Sequence, residues 1–442
     1  MNSADAALVA RYPELPGLAT MLDAEVLARV CGAWGAGYAV ERLRLKPGAS
    51  VTAVLRPPPR SAPDEPSLPW LLARALAPEL WETKREKDVD AAHRAWRAVG
   101  TAAQQWAASP QAADARIRAI TAPRGPALVV EHRRRVLVTP AIGDRRLRGL
   151  SALLPDTGIP VRLRAVVRHS DSRGPAARDP EAARRRGTVR TLSHNPARRF
   201  VGHWSPLSCD SGGGVDSVAC DGSDAGWIVR IHAGQAREVV AFTPGRPWVP
   251  GDAQPDVVSL AHERARADAA VGWPWKPVDV ASALRSAAVG VAAFDVAGLH
   301  WQERAARIAA ELGPRLETCG AAPAHGDYSA DQLVVSEVLN EQGEQREQGA
   351  SQTQVLDWDR CGLWPLGWDA ATWQVTETLA GRDGHSPATL AAPPEVVAAA
   401  ALLRAPEPFR RRHFDWAERT EELVALAERH LGLTAPKHGA DG

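Results

Sequence analysis

The sequence predicts an α+β fold, with strands concentrated in the N-terminal part of the chain and helices in the C-terminal part. Residues 38–56 alternate apolar and polar side chains around a Lys-Pro-Gly turn, which is typical of a β-hairpin. From residue 257 onwards, apolar residues recur at helical spacing in 257–271, 278–294 and 298–318. The 442 residues are enough for two or three domains.

Three segments are predicted along the chain: 1–155, 156–250 and 251–442. The first is β-rich and contains the hairpin, a third strand in PWLLARALA, a helix over 81–108, two short strands within 116–139 around Pro123 and Pro126, and a short helix within 138–154. The second is also β-rich, and GWIVRIH is one of its strands. The third is helical, interrupted by strands between 321 and 361 and closed by a helix over 412–432.

The two β-rich segments share a weak internal similarity. Three positions of the first hairpin match three positions of VRTLSHNPARRFVGHW at a constant offset, namely Val40, Leu43 and Pro47 with Val189, Leu192 and Pro196. Three matches are compatible with a duplicated β unit and equally with chance.

Composition excludes several classes of protein. Lys and Arg number 53 against 52 Asp and Glu, so a protein that mainly neutralises nucleic-acid phosphates or an anionic membrane is disfavoured. Two Arg-rich stretches, 132–148 and 184–199, leave RNA binding as an alternative, but near-zero net charge favours a solvated basic face.

Five widely spaced cysteines form no CxxC pair, and the N-terminus lacks a secretory pattern, so a cytoplasmic protein is expected. The sequence carries no prediction of oligomeric state.

The informative motif is AHGDYSADQLVVSE (324–337), followed by VLDWDRCGLWPLGWDAATW (355–373). LVV and VL read as two strands of a hairpin, which brings Asp327, Gln332 and Asp357 to one end. Phosphoryl transfer needs a carboxylate to accept the proton of the attacking hydroxyl. It also needs hard oxygen ligands for Mg²⁺, and a carboxylate with an amide supplies them. The motif therefore predicts a phosphotransferase site.

HGDYSADQ and LDWDR resemble the aminoglycoside phosphotransferase family, and the Gln is similar to the maltokinase and glucosamine-kinase branch of that group. The resemblance implies a protein-kinase-like, two-lobe fold and ATP- and Mg²⁺-dependent phosphorylation of a hydroxyl on a small molecule. It implies Asp327 as catalytic base, Gln332 and Asp357 as metal ligands, His325 as a brace and Asp369 as an anchor. Asp357 also fits a turn at a strand end, and Asp369 a helix-start carboxylate.

The chain departs from this pattern at the nucleotide phosphates. The family places a Lys on the third strand, paired with a Glu of the next helix, but no Lys occurs between 87 and 276. Arg230 in GWIVRIH is favoured as its replacement, with Arg74 as the alternative, although Arg230 equally fits a surface strand residue. Glu82 and Glu86 are the helix partners available to Arg74.

The same departures keep a second hypothesis open. No GxGxxG loop precedes either strand, and the GGG at 212–214 lies in a polar stretch. A pseudokinase that binds nucleotide or metabolite without transfer is therefore the alternative function. The acceptors of the family are sugars, aminoglycosides and other hydroxylated molecules. No motif of the sequence favours one of these acceptors over another.

Overall fold

The computed structural model divides into two compact units, Met1–Phe242 and Thr243–Gly442. The structure describes residues 1–59, 68–107, 126–147, 150–157, 159–162, 186–195, 198–206, 227–233, 237–241, 245–270, 272, 274–296, 298–337, 351–382 and 392–433. The GGG of the polar stretch and parts of both Arg-rich stretches lie outside these residues.

The first unit begins with three short helices and a five-stranded antiparallel sheet. The sheet has the order β1-β2-β3-β5-β4, and its strand β2 is buried along almost its whole length, which suits its run of Val, Ala and Leu. The bounds are α1 Ser3–Arg11, α2 Leu18–Leu22, α3 Ala24–Cys31, β1 Ala39–Lys46, β2 Ser50–Arg56, β3 Leu71–Leu76, α4 Pro78–Ala107, β4 Val129–Glu131 and β5 Val136–Pro140.

The single strand predicted after Pro126 is wrong. That stretch forms two strands, β4 and β5, which are joined by residues 132–135, and Arg135 adopts a left-handed conformation with φ 52°. The strand predicted before Pro123 lies outside the described residues. Residues 108–125 lie outside the described part of the chain. The segment after β5 forms two 3₁₀ turns, Ala141–Gly143 and Leu150–Ala152, in place of the predicted short helix.

A second antiparallel sheet of five strands completes the first unit, with the order β10-β9-β8-β7-β6. Trp204 and Phe200 are fully buried in its core. The positions matched between the two hairpins differ in environment, because Leu43 is fully buried whereas Leu192 is 38% exposed. The bounds are β6 Val161–Arg162, β7 Arg186–Asn195, β8 Arg199–Pro206, β9 Trp227–His232 and β10 Arg237–Ala241.

The second unit is mainly helical, so the predicted α+β fold class is confirmed. Its helices are α5 Val257–Ala270, α6 Val280–Ala292, α7 Trp301–Glu317, α8 Trp368–Leu379, α9 Pro394–Arg404, α10 Glu407–Arg410 and α11 Trp416–Leu431. Its short strands are β11 Arg246–Pro247, β12 Ala321–Ala324, β13 Leu333–Glu337, β14 Ser351–Val355 and β15 Gly362–Pro365. Strands β11, β13 and β14 form one sheet, and β12 pairs with β15.

Helix α9 is the centre of this unit. Residues 396–402 along it are all buried, and α6, α7, α8 and α11 pack around it. A helix that is apolar on every side belongs in a core, where its neighbours hold it in place. Arg404, the last residue of α9, therefore extends from a helix whose position is fixed by its neighbours. None of the described helices is long and apolar enough to cross a membrane.

A buried ionic cluster joins α7 to α11. Arg304 donates to both carboxylate oxygens of Glu428 at 3.1 and 2.8 Å and contacts Glu421, while Arg307 reaches Glu428 at 2.8 Å. The side chains of Arg304 and Glu428 are 8% and 3% exposed. Removing one partner of such a cluster leaves a buried charge without compensation.

Glu428→Ala is expected to destabilise the protein by about 3 kcal/mol, because the Arg304 guanidinium loses one of its two carboxylates in a buried site. Urea unfolding followed by circular dichroism measures this change. Glu311→Ala is the matched control on α7, since its pair with Arg315 is half-exposed and is worth no more than about 1 kcal/mol. Equal unfolding midpoints for the two variants would contradict the expectation.

Candidate active site

The His-Gly-Asp segment follows β12 directly, and a buried carboxylate holds its backbone. The N–H groups of His325 and Gly326 donate to the two oxygens of Asp369 at 2.7 and 2.9 Å. Asp369 is the second residue of α8 and is 4% exposed. Burial raises the pKa of Asp369, and the two N–H donors oppose that rise. Asp369, predicted as an anchor, thus accepts hydrogen bonds from two backbone N–H groups of the loop.

Gly326 adopts a conformation that a side chain would not tolerate. Its φ is +85°, and a Cβ built on it would lie 2.3 Å from the carbonyl oxygen of Arg360 and 2.6 Å from the indole nitrogen of Trp364. The close approach of these two chain segments therefore requires glycine here. It brings Asp327 and Arg360 next to each other.

His325 is fully buried and links the loop to the neighbouring hairpin. Its Nε2 lies 2.7 Å from the carbonyl oxygen of Leu356, and its Nδ1 accepts the N–H of Asp327 at 3.3 Å. A carbonyl only accepts and a backbone N–H only donates, so the proton belongs on Nε2. Both ring nitrogens are thus engaged by backbone groups, the arrangement that the predicted bracing role requires.

Gln332 and Asp357 lie at the same end of the β13–β14 hairpin. Leu333 is opposite Val355 in the register, and the next residue, Leu356, donates its N–H to the carbonyl oxygen of Gln332 at 2.8 Å. Asp357 has φ 56°, a left-handed conformation that Asp tolerates. The backbone of the hairpin thus places Gln332 and Asp357 at the same end, tied through Leu356 to His325.

These two side chains offer the hard oxygen donors that Mg²⁺ prefers. No cluster of three His, Cys, Asp or Glu side chains suited to a metal ion occurs among the described residues. A single carboxylate with one amide is nevertheless a sufficient protein contribution, because Mg²⁺ keeps several waters and takes substrate phosphate oxygens. The donor chemistry therefore fits Mg²⁺ bound together with a nucleotide.

Asp327 is clamped by two guanidinium groups that were not predicted from the sequence. Arg404, at the end of α9, contacts one carboxylate oxygen, and the Nε of Arg360 lies 3.5 Å from the other. Burial would raise the pKa of Asp327, but the attraction of Arg404 and Arg360 outweighs it and lowers that pKa below its ordinary value. Asp327 is accordingly ionised throughout the neutral range.

The two candidates for the phosphate-contacting Arg lie in different sheets of the first unit. Arg230 is on β9, opposite Val201 and Glu238 in the register. Arg74 is on β3 and contacts Asp88 of α4, and both side chains are largely buried. The partner of Arg74 on the helix is thus Asp88, not Glu82 or Glu86 as expected.

No family model and no curated protein matches the chain. Among solved structures it is similar to a Plasmodium vivax ethanolamine kinase, at 7% identity over 54% of this chain and 82% of that one, with a TM-score of 0.32. It is also similar to a choline/ethanolamine kinase family protein from Mesorhizobium loti (14%, 58% and 95%, TM-score 0.31). A third is the wild-type aminoglycoside 2'-phosphotransferase-IIIa in its GDP complex (12%, 55% and 93%, TM-score 0.28).

All three of these proteins are named as enzymes that phosphorylate small molecules, and one is an aminoglycoside phosphotransferase, the family that the motif resembles.

Proposed function

We propose that the chain is a small-molecule kinase that transfers the γ-phosphate of ATP to a hydroxyl group. The observation that carries the proposal is the assembly around Leu356. The N–H of Leu356 donates to the backbone carbonyl oxygen of Gln332, and its own carbonyl oxygen accepts a hydrogen bond from Nε2 of His325. Asp357 is the next residue in the chain. Hydrogen bonds through Leu356 and His325 therefore link the segments that carry two carboxylates and an amide, the set that phosphoryl transfer requires.

Asp327 is proposed as the residue that binds the hydroxyl group of the acceptor. The acceptor hydroxyl oxygen forms a bond to the γ-phosphorus, the bond from that phosphorus to the β-phosphate oxygen breaks, and ADP leaves. The hydroxyl proton passes to Asp327. A carboxylate with a lowered pKa is a weak base, but phosphoryl transfer depends chiefly on positioning and charge stabilisation. An Asp327 that is always ionised meets that need by accepting a hydrogen bond from the hydroxyl.

Gln332 and Asp357 are the proposed ligands of Mg²⁺, which would supply charge stabilisation for the nucleotide phosphates when bound. Arg230 of the first unit, which the sequence favours, is proposed to contact those phosphates, with Arg74 as the alternative. Arg holds phosphate through a planar fork, whereas Lys does so as a point charge. Because Gln332 stands where most of the family has Asn, the proposal includes a kinase similar to the maltokinase branch.

The test combines binding with turnover. Calorimetry should detect MgATP binding to the full chain, and coupled ADP assays over hydroxylated metabolites should detect transfer. Asp357→Ala is expected to weaken MgATP binding by at least about tenfold, because a carboxylate ligand of the metal is lost. Glu311→Ala, a surface carboxylate variant, should leave binding unchanged.

The outcomes separate the two functional hypotheses. Binding with transfer to at least one acceptor supports the kinase. Binding that depends on Asp357 without transfer to any acceptor favours the pseudokinase, for which the clamp on Asp327 and the missing Lys are the supporting observations. Absence of Mg-nucleotide binding would refute the kinase and the nucleotide-binding form of the pseudokinase.

A further inference from the structure

The guanidinium of Arg404 contacts the proposed catalytic carboxylate, and among the described residues most of its hydrogen-bonding capacity is unused. It has five N–H donors in a fixed fork, and its contact with Asp327 is the one hydrogen bond that its side chain makes within the described residues. The side chain is only 16% exposed, so bulk water satisfies it poorly. A partly buried Arg with open donors is suited to recognise an anion through two parallel bonds.

The surrounding charges favour the same kind of ligand. Arg360 lies on the other oxygen of Asp327 and is 59% exposed, which leaves it accessible to a substrate. Glu407, which begins α10, is held by Arg410 at 3.0 Å and by Arg411 at 3.8 Å. Two guanidinium groups thus lie on the carboxylate of Asp327, and Glu407, whose charge opposes them, is itself paired with two others.

The position of Arg404 also limits the shape of the ligand. The reacting hydroxyl must contact Asp327, and Arg404 touches the same carboxylate. A group bound by the remaining donors of Arg404 therefore lies within a few bonds of the reacting hydroxyl. A long linker between hydroxyl and anion would not fit this arrangement.

We propose that the acceptor is a small hydroxylated acid whose hydroxyl lies within a few bonds of a carboxylate or phosphate, and that Arg404, assisted by Arg360, binds this anionic group. The proposal rests on the proposed kinase function and adds the substrate class. Arg404 is a specificity-determining residue in this arrangement, because it selects anionic acceptors over neutral or cationic ones of the same size.

Matched acceptor pairs test the proposal: glycerate or glycerol phosphate against glycerol, and glucuronate against glucose. Binding of each is measured by calorimetry on the full chain with Mg²⁺ and a non-hydrolysable ATP analogue, and turnover is measured with ATP. The comparison within a pair isolates the anionic group. Carboxylate and phosphate members distinguish the two forms of anion.

The expected result is that at least one anionic acid binds at least about tenfold more tightly than its neutral partner, the effect of hydrogen bonds to a charged group. Arg404→Gln should abolish that preference, and Arg404→Lys should restore part of it. Arg315→Gln, which removes a half-exposed Arg of α7 paired with Glu311, should preserve it. Circular dichroism establishes that each variant is folded.

Two results would overturn the proposal. One is equal or tighter binding of the neutral members by the wild-type protein, and the other is an anion preference that survives Arg404→Gln. Both can be observed in a working kinase, so failure of the acceptor class is distinguishable from failure of the kinase function, which would appear as loss of Mg-nucleotide binding and of transfer to every acceptor.

Discussion

Replacing Asp327 with Asn is expected to lower kcat by ~10²–10⁴-fold, the usual loss when a group that handles the transferred proton is removed. Asn has the shape of Asp but lacks the charge that orients the acceptor hydroxyl. MgATP binding should stay within about twofold of the parent, because Asp327 is not among the proposed metal ligands. Rapid-quench turnover and calorimetry measure the two quantities.

Asp357→Asn provides the contrast for this expectation. It removes a charge of the same type from the proposed metal site, and so both MgATP affinity and kcat should fall. If Asp327→Asn turned over at the rate of the parent, or if it lost MgATP binding as Asp357→Asn does, the roles of the two carboxylates would be wrongly assigned.

The lowered pKa of Asp327 adds a pH signature. Because Arg404 and Arg360 stabilise the carboxylate, its protonation should contribute no loss of kcat/KM until the pH falls below the ordinary Asp value. The stability that this ion pair contributes is likewise present above that value and is lost as the pH falls through the lowered pKa. In Arg404→Gln, burial and the negative charge of Glu407 still raise the pKa of Asp327, whereas the guanidinium of Arg404 no longer lowers it, so the acid limb of the kcat/KM profile should move to higher pH.

The sequence predicted the hairpin of the site because every determinant of it is local. The hairpin is formed by one continuous stretch of sequence, which contains the strand after Gln332, the polar connection and the Asp after the second strand. The spacing of these parts determines which residues pair across the hairpin. The same holds for the helices of the second unit: the predicted 257–271, 278–294 and 298–318 correspond to α5, α6 and α7 within a few residues at each end.

The residues that were missed depend on packing between distant segments. Arg404 is 77 positions from Asp327, and nothing in the composition of 374–411 marks it, because its role comes from the burial of α9 against four other helices. Asp88 was missed for a related reason. Helix α4 begins at Pro78 and not at residue 81 as predicted. Spacing from the predicted start therefore did not identify Asp88 as the residue that faces Arg74.

Asp369→Ala is expected to destabilise the protein by ~2–4 kcal/mol and to remove turnover. The variant leaves the N–H groups of His325 and Gly326 buried without an acceptor, and each such group costs about 1–3 kcal/mol. Part of this cost is offset, because burial raises the pKa of Asp369 and the charged carboxylate is itself penalised in the folded state. The net effect is therefore smaller than the sum of the two lost bonds.

The effect should be concentrated in the loop, which makes it measurable beyond overall stability. Hydrogen exchange at His325 and Gly326 should accelerate strongly in Asp369→Ala, while protection along the core helix α9 should fall only by the change in global stability. Asp369→Asn retains one acceptor oxygen and should lose less in urea unfolding. Unchanged exchange at the two amides would show that Asp369 is not what holds the loop, and the positioning of Asp327 would then have to come from the His325–Leu356 bond and the two guanidinium groups alone.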